Sequence, residues 1–317
     1  MNNISKMKKR IFAAIITLVM CAALSVPAFA ASRPYAMTGS GNSYPGGPAV
    51  EGHFAGQEIR ILANQTNCQM NSYVITTKNG GVIVVDGGTE GDATHLRDVI
   101  MSKGGHVNAW FITHPHNDHA GALVQLITDG ALMQGMAIDA VYYNIADQNF
   151  YNTYEPARAA FVQQFRNTTA LLGAAVHMTH RNDFYQIDDV IVQVMNDPYL
   201  VADNAINNSS VVYRMFIADK KVLFPGDIHE AVSNQFVADH AGEDITADFV
   251  QMTHHGSYGA SKLFYTAVMP KACMWNAPNW LYNNISGQYQ TGEVKRWMNE
   301  LGVTEHFTIA FGDQVIR

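Results

Sequence analysis

Apolar residues recur in short β-rich runs at 59–62, 72–76, 82–86, 109–112, 190–195, 211–217, 222–224, 249–253 and 307–311. Between these runs lie stretches with helical spacing. At 293–301, Val294, Trp297, Met298 and Leu301 share one face and Gly302 supplies a stop. Further helices are expected at 121–127 and 156–172, and a strand at 176–178. The alternation predicts a mixed α/β fold. No Pro/Gly-rich linker interrupts 58–317, so these residues are read as one domain with internally duplicated sheets. The segment 131–207 is long and carries an aromatic stretch with Tyr142, Tyr143, Phe150, Tyr151 and Tyr154. Aromatic clusters usually build core, yet an insertion beside functional loops is also where substrate selection can reside.

The N-terminal pattern changes this picture. Lys6, Lys8, Lys9 and Arg10 precede an apolar run at 11–26 and then Ala28-Phe29-Ala30, the order of a secretory signal peptide cleaved after Ala30. The run is shorter than the ~20 residues a bilayer span needs, and no later segment of the mature chain qualifies. Met20, bulky where a small residue would be required, argues against lipid attachment at Cys21. Residues 31–57, with Gly39, Gly41, Pro45, Gly46, Gly47 and Pro48, lack a hydrophobic period and are expected to form a flexible leader. The expected destination is secreted, extracellular or periplasmic.

Loss of residues 1–30 lowers the basic count from 20 to 16 against 27 acidic groups, a net charge of −11. That sign opposes binding to long nucleic acid, whose affinity comes from Lys and Arg. Cys68 and Cys273 then remain, as two thiols or one disulfide; neither belongs to a paired-Cys metal motif.

The chemistry is concentrated at His114-Pro115-His116-Asn117-Asp118-His119, where an expected strand turns into an expected helix. In extended chain, residues two apart point the same way, so His114 and His116 can grip one ion. Asp118 and His119 fall at the helix start and can face a second. Imidazole and carboxylate suit zinc, with manganese and iron also compatible. Phe224-Pro225-Gly226-Asp227 ends an apolar run on a carboxylate able to bridge two ions, and 249–253 leads into His254-His255-Gly256-Ser257.

These motifs, with Asn71-Ser72-Tyr73-Val74-Ile75, Val84-Val85-Asp86-Gly87-Gly88 and Asn207-Asn208-Ser209-Ser210-Val211-Val212, resemble the metallo-β-lactamase superfamily. Within it they resemble the branch containing the hydrolase domain of bacterial DNA-uptake channel proteins and the choline-phosphate esterases. The resemblance implies a single-domain, four-layer αββα sandwich and a dinuclear centre. His114, His116 and Asp227 would hold the first metal, and Asp118, His119, Asp227 and His255 the second. Asp86 would orient the metal loop, and His254 would contact an anionic substrate oxygen. The catalytic pair so implied is His254 and Asp118.

One departure stands out. Where lactam- and thioester-cleaving members carry a further metal-binding His, this chain has Asn207-Asn208-Ser209-Ser210, with no His between His180 and Asp227. The first site would then use water or an Asn oxygen, or fill with substrate. His177 and His180 are expected to be structural, and His229 to stand at the edge of the site. The leading expectation is a secreted phosphodiesterase or phosphoester hydrolase acting on a small or surface-attached substrate. A lactam, lactone or thioester hydrolase, and a non-catalytic metal-containing surface protein, are the alternatives.

Overall fold

Alternation of inward and outward side chains gives each strand two buried faces. The computed structural model describes residues 48–317, so the expected signal peptide and most of the expected leader lie outside the described residues. The first half of the chain supplies β1 (Glu58–Ile61), β2 (Ser72–Thr76), β3 (Val82–Asp86), β4 (His106–Val107), β5 (Ala109–Phe111), β6 (Ala137–Ile138), β7 (Val141–Tyr143) and β8 (Val176–Met178). The second half supplies β9 (Phe184–Ile187), β10 (Val190–Val194), β11 (Tyr213–Ile217), β12 (Lys220–Phe224), β13 (Phe249–Gln251), β14 (Ala272–Trp275), β15 (Glu305–Thr308) and β16 (Gln314–Ile316). One sheet runs β16-β1-β2-β3-β5-β7-β8 and the other β15-β14-β13-β12-β11-β10-β9, while β4 and β6 pair separately.

Ile59, Ile61, Tyr73, Ile75, Ile83, Val85 and Phe111 of the first sheet meet Val192, Val194, Tyr213, Met215 and Phe224 of the second. The alternate residues Val74, Val82, Val84 and Trp110 face helices Ala93–Ser102, Asn117–Thr128 and Pro156–Thr169. On the other side Leu223, Val250, Cys273 and Trp275 face helices Glu230–Asp239, Lys262–Val268 and Thr291–Glu300. The result is an αββα sandwich. Burying each large apolar side chain in these layers contributes about 1.5–3 kcal/mol.

Two tyrosines cross the sandwich. Tyr213 Oη donates to Ile112 O at 3.1 Å, and Tyr73 Oη donates to Asn276 Oδ1. Strands β3 and β5 pair in parallel in one sheet, as do β12, β13 and β14 in the other. The segments that leave their C-terminal ends carry Asp86, Thr113 to His119, Asp227, His254 to His255, and Asn276. A crevice beyond the carboxyl ends of parallel strands is the usual ligand position in such sheets.

Some expectations need correction. Residues 50–57, expected within the leader, are held in place: Val50 N donates to Val315 O at 2.8 Å, His53 N donates to Arg317 O at 2.7 Å, and Phe54 is buried against Phe249. The strand expected at 307–311 stops at Thr308 and passes into a short helical turn, Ile309–Phe311. Cys68 is exposed and Cys273 buried, and both are free thiols. Among the described residues, no helix is long and apolar enough to cross a membrane.

Candidate metal centre

Helix Asn117–Thr128 begins immediately after His116, so Asp118 and His119 lie in its first turn and His114 and His116 on the extended chain before it. Asp86 fixes this loop from below with φ of 56°, a conformation few non-glycine residues adopt. Its carboxylate accepts from Thr113 N at 2.8 Å, Asn71 Nδ2 at 2.7 Å and His119 Nδ1 at 2.7 Å. On the second sheet, the side chain of Gln251 clips Gly226, accepting from its N–H at 3.0 Å and donating to its carbonyl at 3.1 Å. Asp227 follows, with its N–H donated to Ser210 Oγ at 3.1 Å. His254 and His255 are both left-handed, at φ of 48° and 57°. Consecutive residues in this region cost roughly 1–2 kcal/mol each and persist at functional sites.

The imidazoles converge. His114 Nε2 lies 3.1 Å from His116 Nδ1 and 3.9 Å from Asp227 Oδ2. His119 Nε2 lies 3.1 Å from Asp227 Oδ2, and His255 Nε2 lies 3.3 Å from Asp118 Oδ2 and 3.5 Å from Asp227 Oδ2. Their outer nitrogens are engaged elsewhere: His119 Nδ1 by Asp86, and His255 Nδ1 by Asn276 O at 3.0 Å. Two groups have donor atoms within 4.8 Å of one another, His114 with His119 and Asp227, and Asp118 with His119 and His255. His119 thus stands between the two sets.

Charge reinforces the convergence. Burial alone would neutralise Asp227, but His119 and His255 outweigh it and hold its carboxyl well below the usual range. Burial likewise opposes ionisation of Asp118, and His255 and His119 overcome it. Burial also disfavours the cationic ring of His255, yet Asp227 and Asp118 lift it to about 9. His114 lacks such a surplus of carboxylate and burial pushes it well below the imidazole range, with His119 adding to the effect.

The donor set fits divalent cations. Asp227 Oδ1 and His255 Nε2 are buried without hydrogen-bond partners, and the protons held on His119 and His255 occupy positions that a cation would take over.

His116, Asp118, Asp227 and His254 line a cleft, with Gln69, Glu155, Arg158, Asn204 and Asn207 completing its wall. Gln69, Glu155, Arg158 and Asn204 escaped sequence reasoning, because a Glu before Pro156 at a helix start and an Arg one turn on are ordinary helix signals. The segment 131–207 plays two parts. Tyr151 is fully buried and Phe150 and Tyr143 pack on the core, whereas Glu155, Arg158 and Asn204 face the cleft. Each third-motif residue has a task. Asn207 Nδ2 donates to His229 Nε2 at 3.3 Å while its Oδ1 is buried without a partner. Asn208 Oδ1 accepts from His229 N, Ser209 Oγ pairs with Tyr151 Oη, and Ser210 Oγ holds Asp227 N.

The other histidines of the sequence reading lie apart from the cleft or on its wall. His177 stacks on Tyr142 and His180 Nδ1 pairs with Asp197 at 2.9 Å, both away from the cleft. His254 lines the cleft, but its Nδ1–H is donated to Ser257 O at 2.5 Å. Burial pushes this ring down to about 4, so near neutrality it is uncharged. In that neutral form the ring offers Nε2 as an acceptor, with its proton on the Nδ1 that meets Ser257 O.

An αββα sandwich with a His/Asp cluster at the strand ends defines a metal-dependent enzyme class. The sequence profile of the metallo-beta-lactamase superfamily matches residues 66–266, and the chain belongs to that superfamily. No curated protein matches the sequence. Among solved structures, the chain is similar to the metallo-beta-lactamase fold protein YhfI from Bacillus subtilis, at 10% identity over 82% of this chain and 98% of that one, with a TM-score of 0.49. It is similar in fold to CmlA, a diiron beta-hydroxylase from Streptomyces venezuelae, at 12% identity and a TM-score of 0.51, covering 86% of this chain and 55% of that one. The chain thus spans about half of CmlA. MEM-A1, a subclass B3 metallo-beta-lactamase from a soil metagenome library, is 13% identical over 65% of this chain and 80% of that one, with a TM-score of 0.41.

Proposed function

We propose that this protein is an exported, metal-dependent phosphoester hydrolase, most simply a phosphodiesterase acting on a small or surface-attached substrate. The carrying observation is the cleft itself: its lining is polar, with Asn207 at the third motif and, among the described residues, Arg158 as its one Arg or Lys. The order of the motifs, similar to that of the choline-phosphate esterase branch, supports the same reading, and the basic-apolar-small pattern before Ala30 supports export.

Among the described residues, the carboxylates of Asp118, Asp227 and Glu155 meet the Arg158 guanidinium and the cationic rings of His119 and His255, which leaves no surplus of positive charge for an anionic substrate. Two divalent cations, when bound, would supply the missing positive charge and Lewis-acid chemistry, lowering the pKa of water and offsetting charge on the phosphoryl oxygens. His114, His116 and Asp227 would hold one, and Asp118, His119, Asp227 and His255 the other; zinc suits this donor set, and manganese and iron also suit it. Arg158 orients a non-bridging phosphoryl oxygen by charge-assisted hydrogen bonding. His254 Nε2 accepts a hydrogen bond from water or a substrate hydroxyl, and Asp118, held ionised by His255 and His119, would serve as a hydrogen-bond acceptor rather than as a proton store. An acyl substrate with a bulky apolar group finds no apolar wall among the lining residues.

Metal content by mass spectrometry is measured with turnover of bis(p-nitrophenyl) phosphate before and after chelation and metal return. Two metals per chain and chelator-sensitive turnover are expected, with activity lost in His116→Ala and Asp227→Ala proteins that remain folded. Retained turnover in either variant overturns the assignment. Bound metal with turnover only of nitrocefin, a lactone or a thioester overturns the phosphoester reading.

A further inference from the structure

The role of Glu155 follows from which nitrogen of His116 faces the cluster. His116 Nδ1 is the atom that meets His114 Nε2, at 3.1 Å. An imidazole that presents Nδ1 to a cation carries its proton on Nε2. His116 Nε2 lies 3.3 Å from Glu155 Oε1, a carboxylate oxygen that can only accept. The other oxygen, Oε2, accepts the N–H of Ile206 at 3.0 Å. Ile206 belongs to helix Ala205–Asn208, which carries Asn207 and its buried, unpartnered Oδ1.

The sequence places this carboxylate firmly. Glu155 is the joint between helix Gln148–Tyr154 and helix Pro156–Thr169, and Pro156 fixes the backbone that follows it. Its N–H donates to Tyr151 O at 2.9 Å, and Tyr151 is fully buried. Both carboxylate oxygens are therefore committed before any substrate arrives. The neighbouring rings have comparable anchors, His119 on Asp86, His255 on Asn276 O and His114 Nδ1 beside Thr113 Oγ1 at 3.2 Å.

We infer that Glu155 is a positioning residue for the metal centre: it sets the tautomer and ring angle of His116 and ties that ring to the segment bearing Asn207. The first metal position is thereby completed from the 131–207 segment, where this chain lacks the third histidine. This rests on the metal-centre reading above. Carboxylates that hold the outer nitrogen of a metal-binding His typically change affinity 10–100-fold when removed.

The test is titration of the mature chain with Co2+ against a competing chelator, following the visible absorption of bound cobalt, for wild type, Glu155→Gln, His116→Ala and the double variant. Glu155→Gln keeps the side-chain shape but loses one acceptor. It is expected to weaken one of two binding events by about 10–100-fold, to shift the absorption of that event alone, and to add nothing in the His116→Ala background. Thermal melts of the metal-free proteins verify folding. Wild-type affinity at both events in Glu155→Gln, or an equal loss with and without His116, overturns the proposal while leaving the metal centre intact. A wild-type chain that binds no cobalt removes the metal-centre reading itself.

Discussion

Asp86 Oδ2 accepts a 2.7 Å hydrogen bond from His119 Nδ1, and both side chains are fully buried. The same carboxylate holds Thr113 N and Asn71 Nδ2, so one side chain fixes the strand end, the metal loop and β2's entry together. With the Thr113 hydroxyl, which also donates to it at 2.8 Å, Asp86→Ala leaves four buried donors without their acceptor, at roughly 1–3 kcal/mol each when no relaxation occurs. A net loss on the order of 3–5 kcal/mol is expected in urea unfolding. Asp86→Asn is the sharper probe. Its amide meets His119 Nδ1–H donor to donor or gives up another contact, so metal affinity should fall at least tenfold with a smaller loss of stability. Unchanged chelator competition in Asp86→Asn would show that the ring is oriented by its other neighbours.

Much of this relationship was legible before the fold was known. Residues 72–76 and 82–86 announce themselves because β-branched residues alternate through both faces of a sandwich, and β2 and β3 have those bounds. The density of His and Asp at 114–119 marks the loop, since no core needs four such groups in six residues. What stayed hidden is long-range. Ala272–Trp275 reads as an unremarkable apolar tetrapeptide, yet it forms β14 and presents Asn276 to His255. Glu155 carries no local signal because its meaning depends on His116, 39 residues earlier. His254 shows the same limit: its Nδ1 is engaged by the carbonyl of Ser257, which only the left-handed turn brings within reach.

Arg158 offers a test of substrate charge. Its side chain is 59% exposed and its Nε lies 3.6 Å from Glu155 Oε1, a partly solvated pair worth little to stability. Arg158→Ala should therefore leave the melting temperature nearly unchanged. For an anionic phosphodiester, KM should rise about tenfold, the equivalent of about 1.4 kcal/mol, with kcat changed much less. A neutral ester should be indifferent to the substitution. Equal effects on charged and neutral substrates would assign Arg158 to the architecture of the helix start instead.

A pair remote from the centre links stability to pH. His95 Nε2 lies 2.9 and 3.1 Å from the two carboxylate oxygens of Asp313, whose Oδ1 also accepts from Ala63 N. The hydrogen bond to Asp313 raises His95 above the ordinary imidazole value despite partial burial. Burial opposes ionisation of Asp313, but His95 and the Ala63 N–H outweigh it and lower its pKa. The His95 contribution is fully present below its unfolded value near 6.5 and is lost as pH rises through the higher folded value; the Asp313 contribution is lost at the acid end. The melting-temperature gap between wild type and His95→Asn should accordingly be larger at pH 6 than at pH 9. A gap independent of pH over that interval would mean that the ring contributes by packing alone.

Gly259 links packing to the placement of His255. A Cβ built there would lie 2.2 Å from Thr253 Oγ1 and 2.4 Å from Thr253 O, and the latter is backbone that cannot swing aside. Thr253 Oγ1 accepts from Ala260 N at 2.6 Å and pairs with Tyr265 Oη at 2.8 Å, locking the turn that aims His254 and His255. Gly259→Ala must displace this turn, with an expected cost of about 1–3 kcal/mol from overpacking and a drop in metal affinity, because His255 moves with it. Gly292 is the control. It lies within helix Thr291–Glu300, and a Cβ there meets nothing within 4 Å. Gly292→Ala should raise stability by about 0.5–1 kcal/mol through helix propensity and leave metal binding untouched. If Gly259→Ala loses stability but binds metal as wild type does, the turn and His255 are mechanically separate, and the strained backbone at 254–255 would need another support.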